Sequence, residues 1–402
     1  MRSVDEYLAH IRSFTTVLGS EPIAVAEAAG RVVVHDVRAA VSVPVFDNSA
    51  MDGYAVHYQD VGIASETAPV ALRVVADLPA GTHEHPMIEP GQAARIMTGA
   101  PFPQGADTVV PVEDTDGGTN TVMVRGAKSS GVHVRFAGED MQAGDVVVPR
   151  GTRLGALELS AIASVGVSEV QVSRRPRIAV VSTGSELVES GQPLDFGQIP
   201  ESNSILVAAL AAEAGAEIVF RGTVTDDVRE LLAQIDSLPQ VDAVVLSGGV
   251  SVGAYDVVKA AFEPRGEIEF TTVAMQPGKP QGFGRLADGP LVFCLPGNPV
   301  SAAVSFETFV RPAFERMTQE AVAAVEWAVA GATWRARPGR RLTIPVLLTS
   351  TPEGGLLAHP ANVASGMGSH RSATLAKVQG WVIVPAGVDQ VNEGDVVQVR
   401  RR

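Results

Sequence analysis

The sequence predicts a multidomain protein of mixed class, α/β plus β, centred on a doubly wound, mostly parallel sheet. Three observations carry that expectation. The chain has 402 residues, enough for two to four domains that each bury a core. Hydrophobic residues are 46% and charged residues 19%, a globular balance that excludes general disorder. After Pro176 short apolar runs, glycine-bearing loops and helical repeats alternate, while the flanking segments carry only short valine-rich runs between turns.

The elements follow in order. Ser3 and Glu6 have capping-box spacing, and Val4, Leu8, Ile11 and Leu18 recur at helical intervals, which predicts a first helix over 3–18. Glu21-Pro22 restarts the chain, and Ile23 to Ala29 reads as a short second helix ended near Gly30. From 40 to 150, runs such as Ala71–Val75, Thr108–Val112 and Val146–Val148 alternate with Gly, Pro and Asp clusters, a β-rich texture. Leu157 to Val165 reads as helix, with a linker at 173–176. Arg177–Val181 is a buried strand leading into Thr183-Gly184-Ser185-Glu186. Ser202 to Ala214 is a helix capped by Ser202 or Asn203 and stopped by Gly215. Strand Ile218–Val224, helix Val228 to Leu238 and strand Val241–Leu246 come next, the last running into Ser247-Gly248-Gly249. Strand Leu291–Leu295 runs into Pro296-Gly297-Asn298-Pro299, where Asn298 can cap and Pro299 takes the first helical position. Beyond 328 the helical period disappears. Val346–Leu348, Trp381–Val384 and Val396–Val399 predict a small all-β domain.

Lys and Arg number 31 against 45 Asp and Glu, a net charge of −14. With no long basic run, this excludes a nucleic-acid protein, yet leaves small anionic substrates open. The single cysteine, Cys294 in an apolar run, excludes an intrachain disulfide and a cysteine zinc site. Charges at Arg2, Asp5 and Glu6 do not suit a signal peptide, and no apolar run approaches about 20 residues. The expectation is a soluble, cytoplasmic protein.

Chemistry concentrates at the strand ends, where small-residue turns are followed by an acid or a cation. Glu186 follows one such turn; Asp226 and Asp227 follow Thr223-Val224-Thr225; Asp256 follows Gly248 to Gly253; Lys279 sits in Pro277-Gly278-Lys279-Pro280. Glycine turns let backbone N–H groups approach phosphate oxygens. Carboxylates beside them would repel phosphate unless a hard cation intervenes, and Mg²⁺ held by one or two carboxylates plus phosphate fits. The alternative is that each acid caps a helix. Gly249-Val250-Ser251-Val252-Gly253 also matches a nucleophile elbow, which would make Ser251 a serine-hydrolase nucleophile with His359 or His370 as base. P-loop and dinucleotide fingerprints fail. His83-Glu84-His85 reads as a solvated turn. Upstream, the polar run Asp47 to Tyr54 exceeds what the Asp52-Gly53 turn explains, and Gly138-Glu139-Asp140 suits a surface turn equally well.

The runs Asp47 to Tyr54, Ile96 to Pro101, Gly138-Glu139-Asp140, Thr183 to Glu186, Ser247 to Gly253, Pro277 to Pro280 and Pro296 to Pro299 resemble, in that order, the molybdopterin molybdenumtransferases. These are the bacterial MoeA proteins, related to the E domain of gephyrin, and the resemblance spans essentially the whole chain. It implies molybdenum cofactor synthesis: molybdate enters the dithiolene of adenylylated molybdopterin, with Mg²⁺, and AMP is released. It implies an elongated homodimer with a linker domain (1–45 with 141–175), an inserted β-rich domain (46–140), a molybdopterin-binding α/β domain (176–320) and a C-terminal β-barrel (328–402). A molybdopterin adenylyltransferase is an expected partner. By motif, Asp52, Thr98, Asp140, Glu186, Asp226, Asp256 and Lys279 match positions lining the active cleft, as do Pro296 and Pro299, which would shape a loop. Glu186, Asp226 and Asp256 are the expected Mg²⁺ ligands. Thr183, Gly184, Ser185, Ser247, Gly248, Gly249, Ser251, Gly297 and Asn298 complete the expected binding loops. Many relatives carry a basic residue just before Pro-Gly-Lys-Pro, where this chain has Met275-Gln276. A non-catalytic molybdopterin-binding scaffold is the rival reading.

Overall fold

A computed structural model describes residues 1–250, 256–287, 289–322, 324–352, 354–361 and 372–402. Its centre is a six-stranded sheet in the order Glu217–Val224, Arg177–Thr183, Ala243–Ser247, Leu291–Leu295, Pro280–Arg285, Ile268–Thr272. The first four strands are parallel, and the last two form an antiparallel edge. Ala243–Ser247 and Leu291–Leu295 are buried throughout, as central strands covered on both faces must be. Alternate residues of Arg177–Thr183 point to opposite faces. Ile178 and Val180 pack with Val207 and Leu210 of helix Asn203–Glu213, and Ala179 and Val181 pack with Leu231 and Val258 of the helices opposite. The sheet is doubly wound, as expected.

The antiparallel edge was not legible in the sequence because its strands carry Pro280, Gly282 and Gly284. A Cβ on Gly284 would stand 2.0 Å from the Glu267 carbonyl oxygen, so glycine here marks close backbone approach rather than a turn.

Two helices differ from expectation. The first has its capping box, Ser3 with Glu6, but spans only Val4–Phe14. Thr15 leaves the helical region and returns its hydroxyl to the Ile11 carbonyl at 2.8 Å, where β-branched Thr16 and Val17 follow. Tyr7 and Ile11 bury this helix in the core of the α/β sheet. The expected helix at Ile23 to Ala29 is instead the strand Ser20–Ala24, paired with Glu169–Ser173, plus one tight turn at Val25–Glu27. A partner far away in sequence overrides the local period.

Residues 25–37 and 148–172 share one core, including Val25, Val33, Leu154 and Ile162. The β-rich segment is a five-stranded sheet in the order Thr108–Pro111, Gly53–Val56, Gln92–Ile96, Val70–Leu78, Thr121–Val124. At the C-terminal end, strand Arg341–Ser350 pairs with both Leu356–Pro360 and Gly380–Val384, and Glu326–Ala330 with Val396–Arg401 completes the ring. That is a closed five-stranded barrel filled by Ile344, Val346, Val382 and Val399. Met275–Gln276 pairs with Arg341–Leu342 at its rim, and Arg341 N–H donates to the Ala274 carbonyl while Ala274 N–H donates to that of Arg2.

Candidate active site at the carboxyl ends of the parallel strands

The carboxyl ends of Arg177–Thr183, Ala243–Ser247 and Leu291–Leu295 open onto a cleft of about 840 Å³, where ligands bind in open α/β sheets. Its floor is glycine by necessity. Gly248 holds φ +97°, and a Cβ there would lie 2.5 Å from the Thr183 carbonyl oxygen and 2.9 Å from Thr183 Oγ1. Gly297 faces it, with the Gly248 Cα 3.5 Å from where a Cβ would stand. Asn298 and Pro299 start the helix Pro299–Ser305 as expected.

Glu186, Asp226 and Asp256 all border this cleft. Asp226 also ties two strand-end loops: Ser185 N–H donates to its Oδ2 at 3.0 Å, and Asp226 N–H donates to Ser185 Oγ at 3.0 Å. Asp227 is a helix cap, accepting from the N–H groups of Glu230 and Arg229, which hold its carboxyl below the usual range. Asp256 occupies the same kind of position before Val257–Phe262, yet its side chain makes no cap bond and its Oδ2 is buried without a partner among the described residues. Capping therefore explains Asp227 but not Asp256. Among the described residues no three acidic, histidine or cysteine side chains form a self-sufficient metal site. A hard cation would take its other ligands from phosphate oxygens and water, which suits Mg²⁺ and the orphaned Asp256 oxygen.

Lys279 is exposed, with no ion pair among the described residues. Its loop is pinned from beneath: Gln281 Nε2 donates to the Gly278 carbonyl at 2.6 Å and to Ser305 Oγ at 2.7 Å. Gln276, just before this loop, has a buried Oε1 without a partner among the described residues.

Sequence reasoning missed a polar group at the cleft's inner wall. Glu201 is 5% exposed and accepts from Ser182 Oγ at 2.8 Å and from Ser204 N–H and Oγ, both at 2.7 Å. Ser182 has thereby given its one proton, so Ser247 Oγ donates to Ser182 Oγ at 2.9 Å. Glu201, and not the expected Ser202, satisfies the helix start, since the Ser202 side chain makes no cap bond. Asn203 is turned to the Gly297 loop, donating to its carbonyl at 2.6 Å. The signal was the run Glu201-Ser202-Asn203-Ser204, too polar for a single cap.

Asp52, Thr98 and Asp140 do not border the cleft. Asp52 Oδ1 accepts from Thr98 N–H and Thr98 Oγ1, both at 2.7 Å, so these two are brought together in the β-rich segment. Asp140 is exposed, its N–H donating to the Val43 carbonyl at 3.1 Å. Local ties account for the unexplained polar run: Asp47 accepts from Ala137 N–H at 2.7 Å, and Ser49 Oγ donates to the Met51 carbonyl at 2.6 Å.

Ser251 and His370 lie outside the described residues. His359 lies in the barrel strand Leu356–Pro360, its ring 2.3 Å from where a Cβ on Gly331 would stand. His85 spends both ring nitrogens on Phe102 and Gln104, as a surface turn would. Burial raises the Cys294 thiol pKa and leaves it inert in its strand.

Comparison with known proteins agrees along the whole length. Residues 2–166 match the MoeA N-terminal region (domain I and II), 179–316 a probable molybdopterin binding domain, and 328–400 the MoeA C-terminal region (domain IV). Molybdopterin molybdenumtransferase 2 of Mycobacterium tuberculosis (strain H37Rv) is 43% identical over 415 residues, covering 99% of either chain. The Bacillus subtilis molybdopterin molybdenumtransferase is 33% identical over 412 residues, covering 98% of this chain and 93% of that one. A MoeA crystal structure from Pyrococcus horikoshii superposes with TM-score 0.78 at 32% identity, covering 99% of this chain and 98% of that one. With helix, sheet, insert and barrel all accounted for at such identity, the chain belongs to the MoeA family, the molybdopterin molybdenumtransferases of molybdenum cofactor biosynthesis.

Proposed function

We propose that this chain inserts molybdate into adenylylated molybdopterin at the strand-end cleft, releasing AMP, with Mg²⁺ as cofactor. The observation that carries this reading is Asp256: a buried, unpartnered carboxylate oxygen bordering a glycine-floored cleft it shares with Glu186 and Asp226. Such an atom is costly unless a cation or donor arrives with the ligand. One or two of the carboxylates of Glu186, Asp226 and Asp256 would hold Mg²⁺, with phosphate oxygens and water as its other ligands, and the ion would supply charge neutralisation for the phosphoanhydride. Gly248, Gly249 and Gly297 leave room for the substrate against the backbone. Lys279, between the cleft-lining Gly278 and Pro280, would bring an ammonium to negative charge on phosphate or molybdate.

Asp52, Thr98 and Asp140 fit this reading through a second copy of the chain. They belong to the insert, away from the cleft of their own chain, so a two-fold homodimer would let each copy complete the other's site. The adenylylated substrate must come from an enzyme that adenylylates molybdopterin, a partner this reading requires.

The test is direct. Purified protein with adenylylated molybdopterin, molybdate and Mg²⁺ releases AMP; chelator abolishes the release and added Mg²⁺ restores it. Substrate binding without AMP release would make the protein a scaffold, and full turnover in chelator would give the three acids another role.

A further inference from the structure

Three orphaned buried side-chain atoms border the one cleft: Asp256 Oδ2, Thr183 Oγ1 and Asn203 Oδ1. The first is an acid and suits a cation. The third is different in kind. Asn203 is 8% exposed, and its amide orientation is fixed, because the atom facing the Gly297 carbonyl at 2.6 Å must be the Nδ2 donor. Its other atom is therefore a neutral acceptor with no donor. Such a group costs stability unless a donor reaches it, and a ligand that brings an N–H or O–H satisfies it.

Phosphate and molybdate offer it nothing, since near neutral pH they are themselves chiefly acceptors. An acceptor aimed at them would repel. The heterocycles of the substrate, pterin and adenine, are the parts that carry N–H donors, and only the pterin remains after AMP leaves. Glu201 makes the arrangement possible: by capping the helix start with its own carboxylate it leaves Asn203, the first helical residue, to bridge from helix to loop. Gly297, which receives the Nδ2 bond, belongs to the same cleft wall.

We propose that Asn203 is a specificity-determining residue whose Oδ1 accepts a hydrogen bond from the amino-bearing edge of the substrate's pterin. The cleft then has two chemically distinct ends, an anion end with Lys279 and the acids and a donor-reading end at Asn203. Thr183 Oγ1, 5% exposed and facing the space that a Cβ on Gly248 or Gly249 would fill, is a second partner for the same ring. This inference rests on the reading of the cleft as the molybdopterin site.

The probes are free pterin and lumazine, in which a carbonyl replaces the amino group and turns a donor into an acceptor. Their affinities for the full chain are measured by fluorescence quenching, with and without Mg²⁺. Wild type should prefer pterin by about tenfold or more, as sites built around one hydrogen bond do. Asn203→Ala should bring the ratio close to one while leaving lumazine affinity unchanged. If that variant does not fold, Asn203→Ser, which stays polar but is too short to reach the ring, should likewise bring the ratio close to one. Equal affinities in wild type, or an unchanged ratio in a folded Asn203→Ala or Asn203→Ser, overturns the inference and leaves the cleft reading standing. A Mg²⁺ affinity that falls in Asn203→Ala while the ratio holds would make the oxygen a cation ligand, also against it. No saturable pterin binding by wild type would overturn both readings.

Discussion

Gly248→Ala tests the cleft floor. The new Cβ meets two separate costs. At φ +97° an L-residue sits outside its comfortable backbone regions, which costs about 1–2 kcal/mol. Its Cβ would also stand 2.5 Å from the carbonyl oxygen of Thr183, main chain at the end of a central strand, so no flexible side-chain tip can give way. Forced overpacking of this kind costs about 1–3 kcal/mol more. Gly197→Ala is the matched control: φ is +92°, but nothing lies within 4 Å of the added carbon, so only the backbone cost of about 1–2 kcal/mol applies. The expected difference between the two variants is thus the collision alone. Intrinsic fluorescence would report it poorly, because Trp327 and Trp334 belong to the C-terminal domain and Trp381 reads the packing of the barrel against the sheet. Nor is a single melting midpoint well defined for a chain of several domains. Hydrogen exchange followed on peptides from Arg177–Thr183 and Ala243–Ser247 reads the local opening directly. Gly248→Ala should lower protection there about tenfold or more relative to Gly197→Ala, and abolish AMP release. Equal protection in the two variants would refute the packing argument.

Three further outcomes are expected. Lys279→Ala should leave stability within about 0.5 kcal/mol, as for an exposed side chain without an ion pair, while turnover falls at least about a hundredfold; normal turnover per folded molecule would remove the lysine from the chemistry. Asp52→Ala and Asp256→Ala homodimers should each be nearly inactive, whereas unfolding and refolding them together should restore about a quarter of wild-type activity, since half the dimers then carry one intact site of two; no recovery would place both residues in one chain's site. Hydrogen bonds first from Thr98 N–H and then from its hydroxyl hold the Asp52 carboxyl below its usual value. The stabilisation is therefore complete above the usual aspartate value and lost as pH falls through the lowered one. Thr98→Val should move the Asp52 titration, followed by carboxyl NMR, upward toward the usual value; an unmoved titration would show that the hydroxyl contributes nothing.

Strand-end loops were legible because apolar runs of five residues ending in Gly or Pro leave the chain few options. Leu291–Leu295 is recovered to the residue, with Asn298 and Pro299 opening the next helix. Ile23 to Ala29 misled because its spacing is helical while its partner, Val170, is remote in sequence. Glycines at 282 and 284 hid the antiparallel edge, since a strand built for close approach lacks the side chains that announce strands. At the site, the acids at 226, 227 and 256 look alike in sequence. Only the packing separates Asp227, which accepts from the N–H groups of Arg229 and Glu230, from Asp256, whose Oδ2 has no partner among the described residues. Glu201 and Asn203 were hidden differently: each has a residue type that also starts helices, and the exchange of roles between Glu201 and Ser202 is a matter of side-chain direction.

The strip of backbone from Thr272 to Gln276 is clasped from three quarters. Arg2 bonds it on one side, the barrel strand pairs with it on another, and Val273 N–H reaches forward to the Lys279 carbonyl at 2.9 Å. Arg341, which donates its N–H to Ala274, also holds Asp5 of the first helix at 2.8 Å. Among the described residues the barrel lends no side chain to the cleft, yet it serves as a splint for the loop that carries the ammonium. A tilt of the barrel against the sheet would pass through two residues of ladder into the strip that leads to Lys279. The stiffness of that joint, set far from the strand ends, bears on how far the lysine can move.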